Sequence, residues 1–212
     1  MKALVTSCGR QDLLKKTLSS FLENQHYAEI TIKIHEDRNI SNSEVDYSKL
    51  EDEHLAFTNG IGQHASIEKF LSENKAEKYY LHLEDDWLFE NSYDWIKASV
   101  DIMEADKKII KVLCRKDLVH KNKKFVGKYT TSEGEQINMY ELTKWTDQWI
   151  NNDWYGFSWN PGVTRLDLLS EFMPFTKWEQ YLTKKISEAG YKVIALEKGV
   201  YSHIGEGRST HK

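Results

Sequence analysis

The chain has 212 residues, 40% of them hydrophobic and 29% charged, which is ordinary for a globular protein and favours a single domain. The formal net charge of −4 and the isoelectric point near 6.1 argue against a general nucleic-acid-binding protein and against a polybasic membrane surface. No apolar run approaches the ~18 residues of a membrane span, and two cysteines, Cys8 and Cys114, are too few for a disulfide framework, which favours a reducing compartment such as the cytoplasm.

The first half of the chain alternates predicted strands with predicted helices. Buried strands are predicted at residues 2–7, 30–35, 79–84 and 109–114, with a short strand beginning at Leu55. Helices are predicted after the candidate N-cap Asp12, up to about residue 73, and at residues 91–105. The polar residues 41–54 show no period and are predicted to form a surface excursion. Because a strand–helix–strand order implies a right-handed crossover, we expect parallel strand pairing.

The second half of the chain has a less regular pattern. Residues 115–143 predict charged loops with a hairpin, and residues 145–161 are rich in Trp, Asn and Gly. Helices are predicted at residues 162–172 and 178–189, the second ending at Gly190, before a final strand at residues 191–196. No repeat, linker or composition break divides the chain. We therefore predict one α/β domain over residues 1–212.

Three consecutive carboxylates, Glu84, Asp85 and Asp86, follow the strand at residues 79–84. Ligands of open α/β sheets bind outside the carboxyl ends of the strands. Clustered acids at such an edge repel one another unless a hard cation or a proton relieves them, and Mg²⁺ or Mn²⁺ is the expected cation. A solvated acidic turn is the alternative, but the apolar residues 87–89 directly afterwards disfavour it.

Other polar residues are candidates because of their position next to a predicted element. Ser7 and Arg10 follow the first strand, and Asp37 follows the second, so parallel pairing would bring both sets to the same edge as the acids. A glycine turn at Gly60 leads into a helix that begins near Gln63 and His64, where unpaired N–H groups favour anions. The glycine pattern alone is a weak signal, and a structural role for His64 is the alternative.

Three candidates lie in the second half. His203 follows the final strand and is either a distant metal ligand or a structural loop histidine. Glu179 heads a predicted helix, where it either complements the helix dipole or acts as a general base. Asp153 is a second candidate base, although an Asp in an Asn- and Gly-rich loop commonly serves a turn.

The order of these motifs resembles that of GT-A-fold nucleotide-sugar glycosyltransferases, and the resemblance spans nearly the whole chain. The motifs are a strand ending near Ser7, acids at Glu36-Asp37, a glycine helix start at Asn59-Gly60, the acids Glu84-Asp85-Asp86, then Trp159-Asn160-Pro161-Gly162, Trp178-Glu179 and His203. The acidic triplet corresponds to the DxD motif of that family, with Glu in place of the first Asp. A stand-alone module of this kind also resembles glycosyltransferase domains of large DNA viruses of algae, which would imply host cytoplasm as its location.

The resemblance implies a GT-A-like fold and assigns roles to individual residues. Asp86 would bind Mn²⁺ or Mg²⁺ with His203 and Glu84, while Glu84 or Asp85 would also face the donor ribose or sugar. The implied donor-nucleotide residues are Ser7, Arg10, Asp37, Gly60, Gln63 and His64. Glu179 would be the catalytic base of an inverting enzyme, and a retaining enzyme would need no such base.

The resemblance also divides the chain and names its partners. Residues 1–115 would bind a nucleotide-sugar donor, with UDP favoured, and residues 116–212 would bind a glycan acceptor against the Trp-rich residues 145–159. No nucleic acid or membrane span is expected. Two other classes remain open: a metal-dependent nucleotidyltransferase or hydrolase that uses the same acids, and a carbohydrate-binding domain without catalysis.

Overall fold

The computed structural model describes residues 1–27, 29–36, 55–57, 62–90, 92–117, 121–147, 152–175 and 179–207, apart from the side chains of residues 55–57, 147 and 152. The strands are β1 (Lys2–Ser7), β2 (Thr31–Glu36), β3 (Leu55–Phe57), β4 (Tyr79–Glu84), β5 (Trp87–Phe89), β6 (Ile109–Leu113), β7 (Lys123–Thr130), β8 (Gln136–Leu142), β9 (Trp145–Asp147), β10 (Asn152–Trp154), β11 (Gly162–Arg165), β12 (Lys192–Leu196) and β13 (Tyr201–His203). The helices are α1 (Gln11–Asn24), α2 (Gly62–Glu73), α3 (Trp95–Ala105), α4 (Leu166–Ser170) and α5 (Glu179–Glu188).

A nine-stranded sheet in the order β3-β2-β1-β4-β11-β6-β12-β8-β7 forms the centre of the described structure. Strands β3, β2, β1 and β4 pair in parallel, as do β6 and β12. Strands β11 and β8 run opposite to their neighbours, so most of the nine strands point the same way. Two short pairs, β9–β10 and β5–β13, stand beside this sheet. The predicted α/β domain with a mostly parallel sheet is confirmed.

Strand alternation divides the core into two layers, one on each face of the sheet. Leu81 and Leu83 of β4 pack in the layer that includes Leu14 and Phe21 of α1, whereas Tyr80 packs in the opposite layer. Helix α3 covers the first layer, and helices α2, α4 and α5 cover the second. Burial of apolar side chains on both faces thus fixes the sheet between helices.

The predicted helix at residues 162–172 is wrong, because its first four residues form β11 in the middle of the sheet. The apolar spacing of Val163, Leu166 and Leu169 is produced by a buried strand that runs directly into the short helix α4. Gly162 lies so close to β6 that an added Cβ would be 2.6 Å from the Val112 carbonyl oxygen. Only glycine allows the strand to pass there.

The starts of two helices differ from the prediction, and a predicted hairpin is found. Helix α1 is capped at Arg10, so the N-cap assignment of Asp12 is wrong. Helix α3 begins at Trp95 rather than at residue 91, because the Asp94 side chain caps it by accepting a hydrogen bond from Lys97 N at 2.9 Å. The predicted hairpin is confirmed as β7–β8. Residues 41–54 lie outside the described residues.

Leu81 should be a main contributor to stability. Its side chain is fully buried in the core layer that also contains residues of α1 and α3, and Leu81→Ala should lower the free energy of unfolding by about 2–5 kcal/mol. Leu88→Ala, at a leucine with 36% exposure, is the matched control and should cost less than about 1 kcal/mol. Urea denaturation of both variants measures the difference, and equal losses would contradict the assigned core.

Candidate functional site

The carboxyl ends of β1, β2 and β4 meet at one edge of the sheet. The register pairs Ser7 with Glu36 and Thr6 with Glu84, which confirms the predicted convergence of strand ends. Gly9, with φ of 67°, makes the turn after β1 and donates its N–H to Glu36 Oε1 at 2.5 Å. The predicted donor residues Asp37 and Gly60 lie outside the described residues.

Asp85 is the buried anchor of this edge. Its carboxylate is 1% exposed and accepts hydrogen bonds from Ser7 Oγ at 3.1 Å and from the amide N–H of Cys8 at 3.2 Å. The Arg10 guanidinium completes the set with two bonds, one from Nε at 3.3 Å. Because its oxygens accept hydrogen bonds from the turn after β1, Asp85 holds that turn in place. Cys8 and Cys114 are free thiols.

Asp86 points to a different partner, the C-terminal segment of the chain. Pairing of β5 with β13 brings His203 opposite Trp87, and His203 Nε2 lies 3.2 Å from Asp86 Oδ2. Arg10 Nη1 lies 2.8 Å from the same oxygen. Gly205 packs against Asp86 so closely that an added Cβ would be 2.4 Å from Oδ2. Residues 117 positions apart thus form one polar cluster.

The donor set of this cluster fits a divalent cation only in part. Within the described residues, no group of three or more His, Cys, Asp or Glu side chains is arranged to hold a metal ion. However, adjacent ligands of an octahedral ion with bonds of about 2.1 Å are about 3 Å apart, close to the 3.2 Å between Asp86 Oδ2 and His203 Nε2. These two residues suit an ion whose shell is completed by phosphate and water oxygens.

The Glu84 carboxylate is hydrogen-bonded to Gln63, a predicted donor-nucleotide residue, and to Trp87 rather than to His203. Its Oε1 accepts a hydrogen bond from Gln63 Nε2 at 2.9 Å, and its Oε2 accepts one from Trp87 Nε1 at 3.1 Å. Burial, followed by the negative charge of Asp86, raises the pKa of the Glu84 carboxyl to about 7. Its predicted role as a metal ligand stays a prediction.

Trp159 connects two candidate side chains, His64 and Glu179, and a third side chain, His82. Its indole N–H donates to His64 Nε2 at 3.0 Å, and its main-chain carbonyl accepts from His82 Nδ1 at 2.6 Å. Its amide N–H donates to Glu179 Oε1. Burial lowers the pKa of His82 to about 3, so this histidine is neutral at physiological pH.

Glu179 heads α5 and faces a buried lysine. Burial raises the pKa of the Glu179 carboxyl to about 7, although the Trp159 N–H and the charge of Lys111 favour its ionised form. The negative charge of Glu179 is also one cause of the raised pKa of Glu84. A carboxyl with a pKa near 7 can exchange protons at neutral pH, as a general base must.

Asp153, on β10, is held by Thr146 of β9 and by Lys144, which directly precedes β9. Its carboxylate lies 2.7 Å from Lys144 Nζ and accepts a hydrogen bond from Thr146 Oγ1 at 2.8 Å. These contacts lie on the exposed strand pair β9–β10 and do not connect Asp153 to the acids Glu84, Asp85 and Asp86. Its proposed role as a second base stays a prediction.

A pocket of about 130 Å³ opens beside the acids, between the end of β1 and the start of α2. It is lined by Thr6, Ser7, Cys8, Arg10, His35, Gly62, Gln63, Ser66, Glu84 and Asp85. His35 is fully buried, and burial lowers the pKa of its ring, which is therefore neutral. The pocket thus joins carboxylates, hydroxyls, an amide and a neutral imidazole.

Sequence analysis missed His35 and Lys111 as parts of this region. Lys111 is the single charge within the apolar strand Ile109–Leu113, and it is fully buried. A lone lysine in a buried strand is a detectable signal, since lysine is rarely buried without a partner. His35 lies within a predicted strand and carries no distinguishing pattern in the sequence, and only the sheet order places it beside the pocket.

The architecture is a GT-A-like fold: one mixed α/β domain with a large, mostly parallel sheet flanked by helices. Among solved structures, that of GalNAc-T7 with UDP, GalNAc and Mn²⁺ is similar to this chain, with a TM-score of 0.59 and 12% sequence identity. The match covers 96% of this chain and 43% of the GalNAc-T7 chain. At this identity the likeness shows the fold alone, and it gives no support to a viral origin.

The sequence itself has no counterpart in the other comparisons. It matches no protein-family model, and no curated protein matches it significantly. In the part of the chain that the structure describes, no helix is both long and apolar enough to cross a membrane.

Glu179 should make stability depend on pH. Its pKa rises from about 4.5 in the unfolded chain to about 7 in the folded protein, so the folded state holds this proton more tightly. The resulting stabilisation is complete below about pH 4.5 and is lost as pH rises through about 7. Wild type should therefore lose more free energy of unfolding between about pH 5 and about pH 8 than Glu179→Gln does.

Urea denaturation at both pH values measures this difference. Glu188→Gln, at an exposed glutamate of the same helix, is the control and should lose as much stability as the wild type. An identical loss in Glu179→Gln would contradict the raised pKa.

Proposed function

We propose that this protein is a metal-dependent glycosyltransferase that moves a sugar from a nucleotide-diphosphate donor, with a UDP-sugar favoured, to a hydroxyl group of a glycan. The observation that carries the proposal is the polar cluster of Asp86, His203 and Arg10 at the carboxyl ends of parallel strands. The GT-A-like fold and its likeness to a structure that contains UDP and Mn²⁺ support it.

The nucleoside part of the donor would bind in the pocket beside Arg10. Its wall offers the Gln63 amide and the neutral His35 imidazole, and both side chains carry a donor and an acceptor for the polar groups of a base or ribose. Asp85 would act indirectly, because its buried carboxylate fixes the turn that carries Ser7 and Arg10. Asp37 and Gly60 remain donor-binding candidates from the sequence.

Asp86 and His203 would hold Mn²⁺, or Mg²⁺, against the diphosphate. A carboxylate and an imidazole together favour Mn²⁺, because Mg²⁺ prefers a shell of oxygen ligands alone. When bound, the ion would supply positive charge that stabilises the departing diphosphate. The Arg10 guanidinium, 2.8 Å from Asp86, adds a second positive charge at the same edge.

Glu179 would be the general base for the acceptor. The acceptor hydroxyl oxygen would attack the anomeric carbon while the bond from that carbon to the diphosphate oxygen breaks, and the electron pair would leave with the nucleoside diphosphate. The hydroxyl proton would pass to Glu179, whose pKa near 7 suits this transfer. Direct attack of this kind inverts the configuration of the anomeric carbon.

A donor and acceptor panel tests the reaction. The protein would be incubated with Mn²⁺, each of several UDP- and GDP-sugars and a set of aryl monosaccharide acceptors, and both nucleotide release and new disaccharide would be measured. We expect nucleotide release that requires both Mn²⁺ and an acceptor. Release that needs no acceptor would indicate a hydrolase, and glycan binding without any reaction would indicate a binding domain; either result would overturn the proposal.

Asp86→Ala should remove the Mn²⁺-dependent part of UDP affinity, which we expect to be about tenfold, or ~1.4 kcal/mol. Titration calorimetry of UDP with and without Mn²⁺ measures this part directly. Asp167→Ala is the matched control. Asp167 is also paired with an arginine, Arg165, but this pair lies near the start of β4 and so at the sheet edge opposite to Asp86. A variant lacking Asp86 that still responds to Mn²⁺ like the wild type would move the metal site elsewhere.

A further inference from the structure

Lys111 is a buried ammonium group that the proposed reaction does not yet use. It lies on β6, its side chain is fully buried, and Nζ donates hydrogen bonds to the carbonyl oxygens of Ser158 and Asn160, at 2.8 and 2.7 Å. Removing an ammonium group from water is costly unless polar partners compensate for the lost hydration. A charge kept in such a position needs a physical reason.

The two carbonyls flank Trp159, whose own main chain serves the candidate base. With the carbonyls of Ser158 and Asn160 both bound to Lys111, the peptide between them is fixed, and its N–H is aimed at Glu179 Oε1. The carbonyl of Trp159 is fixed from another side by His82. Lys111 thus holds the backbone segment against which the Glu179 carboxylate is hydrogen-bonded.

Lys111 also acts on Glu179 through its charge. The groups that act on Glu179 are Lys111 from β6 and the Trp159 N–H, and Glu179 itself acts on Glu84 of β4. The neutral His82 contacts Trp159, and so does His64. Lys111 favours the ionised carboxylate of Glu179, and the charge of that carboxylate in turn raises the pKa of Glu84. Burial lowers the pKa of Lys111 to about 7, and the two carboxylates partly restore its charge.

We propose that Lys111 is a positioning residue for Glu179: it clamps residues 158–160 so that the Trp159 amide orients the Glu179 carboxylate, and its positive charge favours the ionised form of that carboxyl. This inference rests on the proposed function, in which Glu179 is the base.

Lys111→Met tests the clamp and the charge together. Methionine keeps an unbranched stem of similar length, but it leaves the Ser158 and Asn160 carbonyls without their donor and Glu179 without its positive neighbour, so we expect a less stable protein. The acidic limb of the kcat/KM profile should move upward by roughly one pH unit, since an ionised neighbour lowers a carboxyl pKa by about that much or more. The Kd for UDP with Mn²⁺ should change less than about twofold.

Two further variants separate positioning from general damage. Thr164→Val is the matched control, because Thr164 is a buried polar residue directly opposite Lys111 on β11, and it should leave the pH profile unchanged. Lys111→Gln keeps a hydrogen-bond donor without the charge, so the shifted limb should persist while kcat at high pH recovers toward wild type. It also replaces Lys111→Met if that variant does not fold.

A direct titration keeps this inference distinct from the proposed function. Carbon-13 NMR of glutamate-labelled protein, with the Glu179 signal assigned by its loss in Glu179→Gln, reports the ionisation of that carboxyl without any substrate. An upward-shifted titration in Lys111→Met and Lys111→Gln, with a wild-type titration in Thr164→Val, would support the role of Lys111 even if no transferase activity were found. An unchanged Glu179 titration and an unchanged pH profile would overturn it.

Discussion

The buried ion pair between Asp85 and Arg10 organises this end of the sheet. It ties the end of β4 to the turn after β1 and leaves the third guanidinium nitrogen, Nη1, facing Asp86. A buried charge pair is stable only when its remaining hydrogen bonds are made, and here Ser7 and the Cys8 amide supply them. Removing either charge would strand the other, so the geometry of the whole strand-end site depends on this contact.

Much of the fold follows from local patterns in the sequence. Alternation in β4 correctly separates Tyr80 from Leu81, and the strands β1, β2, β4, β6 and β12 and the helices α1, α2, α3 and α5 are found close to their predicted positions. The failure at residues 162–172 has a physical cause: β11 inserts antiparallel between β4 and β6, and a four-residue strand followed at once by a helix imitates helical spacing. Insertion of a strand is a long-range event that no local window contains.

The site was predictable where its residues follow strand ends and unpredictable where it is built from the second half of the chain. Convergence of strand ends brings Ser7 and Arg10 to Asp85, as parallel pairing requires. The contacts of Trp159 with Glu179 depend instead on the loop before β11, whose path is set by tertiary packing. The same packing buries Lys111 and the carboxyls, and burial moves the pKa values of Lys111 and Glu179 to about 7.

The account depends on Asp86 and His203 binding one ion together with a donor diphosphate, and crystallography with Mn²⁺ and UDP tests this most directly. Anomalous scattering locates manganese independently of the surrounding density. We expect one manganese peak within about 2.3 Å of both Asp86 Oδ2 and His203 Nε2 and in contact with the diphosphate. UDP bound at the strand ends without manganese at these two atoms, or manganese bound elsewhere with UDP, would contradict the account.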